Sequence, residues 1–252
     1  MKALRKTFLL GLTLSLLFTS CKKESTSPST DSKGGAGYIA PTLAKDSLVK
    51  IPEQIITKSN SDFSLLNLIL GESFINTFSN SLAGWFVYDN NTMSGWSNNK
   101  NSDGSTTYSW KYFTYSYNLI YFNSSGESWW KYQYDSASYH WTWCYILDKG
   151  TSGEVDWYTQ KYFKDTQKVA LKDSYSKSGT TINSTFSSYN DSEIEASRYE
   201  ATSNADRSGT MNIYELVSTS LVKKYSYTWD KNGAGVWITY NDDGSQSGTG
   251  SF

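Results

Sequence analysis

Histidine occurs once in this chain, at His140, and cysteine only at Cys21 and Cys144. One histidine leaves the common zinc sites and Ser/His/Asp triads short of ligands. Two cysteines allow at most one disulfide, too few for a disulfide framework. Proline is limited to 3 residues, so turns must be made by Gly, Asn, Asp and Ser. Cations are no more plentiful than acids, 23 against 24, and no basic stripe marks a nucleic-acid surface. No apolar run is long enough for a permanent membrane-spanning helix; the longest, Phe8–Phe18, falls well below the roughly 20 residues needed.

Aromatics are what the chain has, at 16% of 252 residues. From Tyr108 to Leu147 they recur at every second position between short polar turns, the period of half-buried strands. Tyr108, Trp110 and Tyr112 are in one phase, and Phe113, Tyr115, Tyr117, Leu119 and Tyr121 in the other. One regular strand cannot hold both sets on one face, so a bulge or tight bend is expected near residues 112–114. Other strands are expected at intervals from a short one at Gly84–Tyr88 to residue 241, with 97–105 a loop and 245–252 a frayed edge strand. Leu221, Lys223, Tyr225, Tyr227 and Trp229 alternate cleanly before an Asn232-Gly233 hairpin turn. Connections this short join antiparallel neighbours. The expected fold is mainly β: an antiparallel meander of about eleven strands, curling into a strongly curved sheet or partly open barrel.

Residues 42–82 read as helical. Pro52 suits the opening of a short helix to about Lys58. Asn60 or Ser61 then reads as the N-cap of a longer helix. Phe63, Leu66, Leu70, Phe74 and Phe78 set its apolar stripe, widened by Leu65, Ile69 and Ile75. That stripe is expected to pack in or against the sheet.

Residues 1–20 have the form of a secretion signal, with Lys2, Arg5 and Lys6 ahead of the apolar run. Phe18-Thr19-Ser20-Cys21 resembles the lipobox of bacterial lipoproteins, with Phe18 where that family usually has Leu. The resemblance implies cleavage before Cys21 and acylation of its thiol, palmitate among the chains. Acyl chains contribute about 0.8 kcal/mol per buried CH₂ and would hold the domain to a bilayer. Lys22-Lys23-Glu24 is similar to tags that send some lipoproteins to the cell surface. Cleavage removes three cations and leaves 20 against 24 acids, a net charge of about −4. Residues 21–37 then form the lipidated cysteine and a Ser/Gly-rich tether reaching roughly 20–25 Å; residues 38–252 form the domain. At the level of architecture the whole is similar to Lol-type lipoprotein carriers and receptors, and to bacterial cell-envelope lipoproteins whose aromatic strands close in Trp229–Gly250. This places the chain in the envelope, most simply on the outer membrane, at its periplasmic face or the cell surface.

Chemistry is thinly signalled. His140 and Cys144 share a strand face, but four residues span about 13 Å, too far for a dyad. Glu193 and Glu195 share a face at about 7 Å, a separation glycosidases use and solvated strands also show. Asp230-Lys231-Asn232-Gly233 and Asp242-Asp243-Gly244 are faintly like calcium loops and are equally hairpin turns. No enzyme, cofactor or metal is implied. The candidate ligand contacts are Trp110, Trp130, Tyr132, Trp141, Trp143 and Tyr145. Such rows pack cores, or line a concave site. The expected function is binding of an apolar or amphipathic ligand in the hollow of the sheet. The alternatives are a surface module for glycan or protein, or a purely structural envelope protein. The expected partners are the membrane, through acylated Cys21, and a lipid, glycan or protein ligand; nucleic acid is not among them.

Overall fold

The computed structural model of the chain describes residues 48–85, 93–136, 139–158 and 168–252. The signal, Cys21 and the tether lie outside the described residues. Thirteen strands form one antiparallel sheet in sequence order. They are β1 (Met93–Lys100), β2 (Thr106–Tyr112), β3 (Tyr115–Ser124), β4 (Glu127–Ser136), β5 (Tyr139–Asp148), β6 (Ser152–Tyr158) and β7 (Val169–Ser178). The rest are β8 (Thr181–Tyr189), β9 (Glu195–Ser203), β10 (Gly209–Val217), β11 (Ser220–Trp229), β12 (Gly235–Tyr240) and β13 (Gln246–Ser251). The meander is as expected, but β1 and β13 do not pair, so the sheet does not close into a barrel.

The aromatic phase change resolves as a hairpin. β2 ends at Tyr112, β3 begins at Tyr115, and the two residues pair. Tyr108 and Trp110 on β2 and Leu119 on β3 are therefore buried together. Residues 97–100, read as loop, are strand: Lys100 pairs with Thr106 and Asn98 with Tyr108. A polar edge strand carries no apolar alternation to announce it. The strand expected over residues 84–88 is not there as far as Trp85, which ends a helix; residues 86–92 lie outside the described residues.

Five hairpins share one turn. In Asn101–Ser105, Asn190–Ile194, Asn204–Ser208, Asp230–Ala234 and Asn241–Ser245, the first N–H donates to the fifth carbonyl. The fourth N–H donates back to the first carbonyl. The fourth residue takes positive φ each time: Gly104, Glu193, Arg207, Gly233 and Gly244. In three of them the third residue, Asp103, Asp206 or Asp243, accepts from both the N–H and the hydroxyl of the following Ser. The Asp230 and Asp242 runs are thus hairpin turns: Asp230 and Asp243 are occupied in shaping their loops, and Asp242 pairs with Lys224.

The helical segment covers one face of the sheet. Pro52 precedes α1 (Glu53–Ser59), which buries Ile55 and rests on the Gly233 turn. The cap of the next segment is Asp62, not Asn60 or Ser61; its carboxylate accepts from the Ser64 N–H at 2.9 Å. A 3₁₀ turn (Phe63–Leu65) leads into α2 (Leu66–Trp85), which packs on β7, β8 and β10. The 3₁₀ turn winds at 3.0 residues rather than 3.6, which rotates the stripe read from the sequence. Leu65, Leu68, Gly71 and Ile75 face the core, while Phe63 is 87% exposed and Leu66 40%. Phe74 does pack, stacking on Phe186 at 5.6 Å and tilting on Tyr199 at 5.4 Å. Ahead of α1, Leu48 and Val49 are buried, and Asn76 clamps Val49 by accepting from its N–H and donating to its carbonyl.

Several strand glycines lie under aromatic rings. A Cβ on Gly209 would stand 2.6 Å from the Trp229 ring and against the Thr202 carbonyl. Because backbone blocks one side, Gly209→Ala is expected to cost about 1–3 kcal/mol, read from the urea midpoint at unchanged m-value.

Candidate functional site

The predicted aromatic contacts separate onto different faces. Trp110, Trp130 and Tyr132 are 8%, 2% and 1% exposed, within the core. Trp110 stacks between Trp96 and Tyr117, each at 5.9 Å, and Trp130 meets Tyr121 at 5.3 Å. Tyr145 is half-buried on the opposite face, 6.3 Å from Trp129. Trp141 and Trp143 lie on β5, but their side chains, like that of His140, lie outside the described residues. A cavity beside the buried face, between Leu48, Val155, Asp173 and Tyr175, measures about 10 Å³, room for one water. The described aromatic rows therefore serve as packing.

The larger concavity is on the open face. Lys172 and Ser174 on β7, Thr185, Ser187 and Tyr189 on β8, and Glu195, Arg198 and Glu200 on β9 line a groove of about 270 Å³. Strand register builds it. Lys172, Ser187 and Arg198 stand in one cross-strand row, and Ser174, Thr185 and Glu200 in the next. A bulge between Ser188 and Tyr189 sets Tyr189 opposite Glu195 at the groove's end.

Its charges are held in place. Arg198 donates through Nε to Glu195 Oε1 at 2.8 Å, through a second nitrogen to Glu195 Oε2, and to Glu200 Oε1 at 3.3 Å. Ser187 Oγ donates to Glu195 Oε1 at 2.6 Å, and Tyr214 donates to Glu200 at 3.1 Å. Burial alone would raise the Glu195 carboxyl, but the bonds from Arg198 and Ser187 prevail and hold it below the usual range. Lys172 pairs with Glu154 at 3.1 Å and Asp156 at 3.5 Å. Partial burial works against its ammonium, yet those carboxylates outweigh it and raise its pKa. Burial lifts the Asp156 carboxyl, with Lys172 opposing.

Sequence reading missed this site because its signal is polar. Glu154 and Asp156, Lys172 and Ser174, Thr185 and Ser187, Arg198 and Glu200 repeat at period two on four successive strands, out of phase with Val155, Tyr175, Phe186 and Ala201 of the core. The paired Glu193 and Glu195 do not act together. Glu193 sits in the 190–194 turn at φ 62° and pairs with Lys168, whereas Glu195 opens β9. Cys144 is fully buried, its thiol pushed up by burial and then by Asp156. Among the described residues no group of three or more His, Cys, Asp or Glu is placed to hold a metal ion.

The groove thus offers fixed acceptors, fixed donors, three small hydroxyls and a tyrosine ring at one end. That set matches a molecule carrying many hydroxyls in defined directions. The chain matches no protein-family model and no curated protein.

Proposed function

We propose that this chain is a lipid-anchored protein of the bacterial envelope, held through acylated Cys21, which binds a glycan on the open face of its sheet. The groove at β7–β9 carries the reading, because its polar groups are prearranged on rigid strands before any ligand arrives. The interior supports an apolar ligand less well, since Trp110, Trp130 and Tyr132 are occupied in packing and the adjoining cavity holds about 10 Å³.

Binding to an array of neutral and acidic oligosaccharides tests the groove. Arg198→Ala is expected to weaken binding at least tenfold, as loss of one charged hydrogen-bonding group does (about 1.5–3 kcal/mol). Thr185→Val and Tyr189→Ala, which leave the ion pairs intact, should weaken it severalfold. An array without hits, or hits indifferent to all three variants, would sink the proposal. The anchor is tested separately: mass spectrometry should find acyl chains on Cys21, and Cys21→Ser should release the protein from membranes.

A further inference from the structure

The hairpin between β2 and β3 carries an aromatic residue where one is doubly unfavourable. Phe113 lies at φ 54° and is 80% exposed. Equivalent two-residue turns place Ser125, Gly179 and Ser218 at that position, small residues that accept left-handed backbone or pack nothing. A bulky side chain there strains the backbone, and this one gains little burial in return. Strained residues that persist while exposed are candidates for function.

The ring is not isolated. Tyr112 lies against it edge-on at 4.5 Å. Tyr115, 40% exposed, tilts on Tyr134 at 5.0 Å. Residues 111–117 contain no acid, and Lys111 is exposed beside the tip. An apolar apex flanked by tyrosines is the chemistry of membrane interfaces, where rings enter the acyl boundary and hydroxyls stay with headgroups.

We infer that the tip Tyr112–Tyr115 dips into the bilayer surface as a second attachment beside the acyl anchor. This rests on the Cys21 reading. Leu48 and Lys50 join the sheet beside Tyr175 and Ser203, at the end of the strands opposite the tip. The 26 residues between Cys21 and Leu48, up to roughly 90 Å when extended, are long enough for the tip to reach the bilayer, where the anchor raises its effective concentration.

The test uses the mature chain, residues 21–252, with phosphatidylcholine vesicles. Cys144 is fully buried, so an environment-sensitive fluorophore on Thr114→Cys labels selectively once Cys21 is acylated or replaced. On vesicles the Thr114→Cys probe should shift to the blue and be quenched by lipid-borne quenchers. A probe on Ser125→Cys, in a turn at the other end of β3, should do neither. In unacylated Cys21→Ser chain, Phe113→Gly should cut vesicle partitioning about tenfold while the melting temperature holds or rises, since glycine relieves the strain. A tip probe that stays in water on acylated, vesicle-bound chain overturns the inference. So does partitioning unchanged by Phe113→Gly, or a probe buried only when copies self-associate. If Cys21 proves unacylated and the Cys21→Ser chain still partitions through its tip, the anchor reading fails and this one stands.

Discussion

Tyr227→Ala is expected to lose about 3–5 kcal/mol of stability, the range for emptying a fully buried aromatic site. Tyr227 is 1% exposed on β11, between Met211 on β10 and Trp237 on β12. Its hydroxyl donates to the Ser64 carbonyl at 2.8 Å. It is therefore a pin between the sheet and the 3₁₀ turn that leads into α2. Burial pushes its phenol pKa far up, so it remains a donor across the working pH range. Tyr227→Phe separates the two contributions: the ring stays, and the unmet Ser64 carbonyl should cost about 1–2 kcal/mol. Chemical denaturation followed by near-ultraviolet circular dichroism gives both values. An alanine variant within about 1 kcal/mol of the parent would mean that helices and sheet are not cooperatively joined at this point.

The same region shows what the sequence could and could not reveal. Aromatic alternation located most strands because each ring must choose a face. It also called for a bulge or bend near residues 112–114, because Trp110 and Leu119 are in opposite phase; the structure meets that need with a full hairpin reversal. The hairpin turns were legible because Asn, Asp and Gly make them by local bonds that need no tertiary partner. The helix face was legible in part: Leu65, Ile69, Phe74 and Ile75 pack as read, but Phe63, which looked like the first core residue, and Leu66 stand exposed where a three-residue 3₁₀ turn opens the segment. Bulges hid in the same way. Lys223 alternates with Tyr225 and Tyr227 in sequence, yet the register slips between Ile213 and Tyr214. Lys223 is thereby delivered over the Tyr214 and Tyr240 rings, at 5.6 and 5.9 Å. The groove was hidden because polar periodicity on an open face is what any half-buried strand shows. Only the register that stacks Lys172, Ser187 and Arg198 makes a concavity of it.

Asp173 is a buried carboxyl with a direct consequence for pH. It stands on β7 between Val155 and Phe186, 2% exposed, and neither carboxyl oxygen has a hydrogen-bond partner among the described residues. Burial pushes its pKa well above the usual carboxylate range; the neighbouring Ser174 N–H, short of a full hydrogen bond, offsets only part of that. The sign follows from proton counting. In strong acid both folded and unfolded chains carry the proton, and Asp173 contributes no pH dependence. Once pH passes the unfolded carboxyl's range, near 3.9, the unfolded chain releases its proton and the folded chain keeps it. Stability then falls by about 1.4 kcal/mol per pH unit until Asp173 ionises in the fold. Asp173→Leu removes that loss and leaves an apolar neighbour for Val155 and Phe186. The variant should gain about 1–4 kcal/mol over the parent at pH 7, the loss of about 1.4 kcal/mol per pH unit accumulated above the unfolded carboxyl's range. The gain should shrink steadily toward pH 4. Urea unfolding of both proteins at pH 4, 5, 6 and 7 measures the difference directly, because every other titrating group cancels. Parallel stability curves would show that Asp173 is ionised and compensated in the native state, most simply by water drawn into the small cavity beside Leu48 and Tyr175.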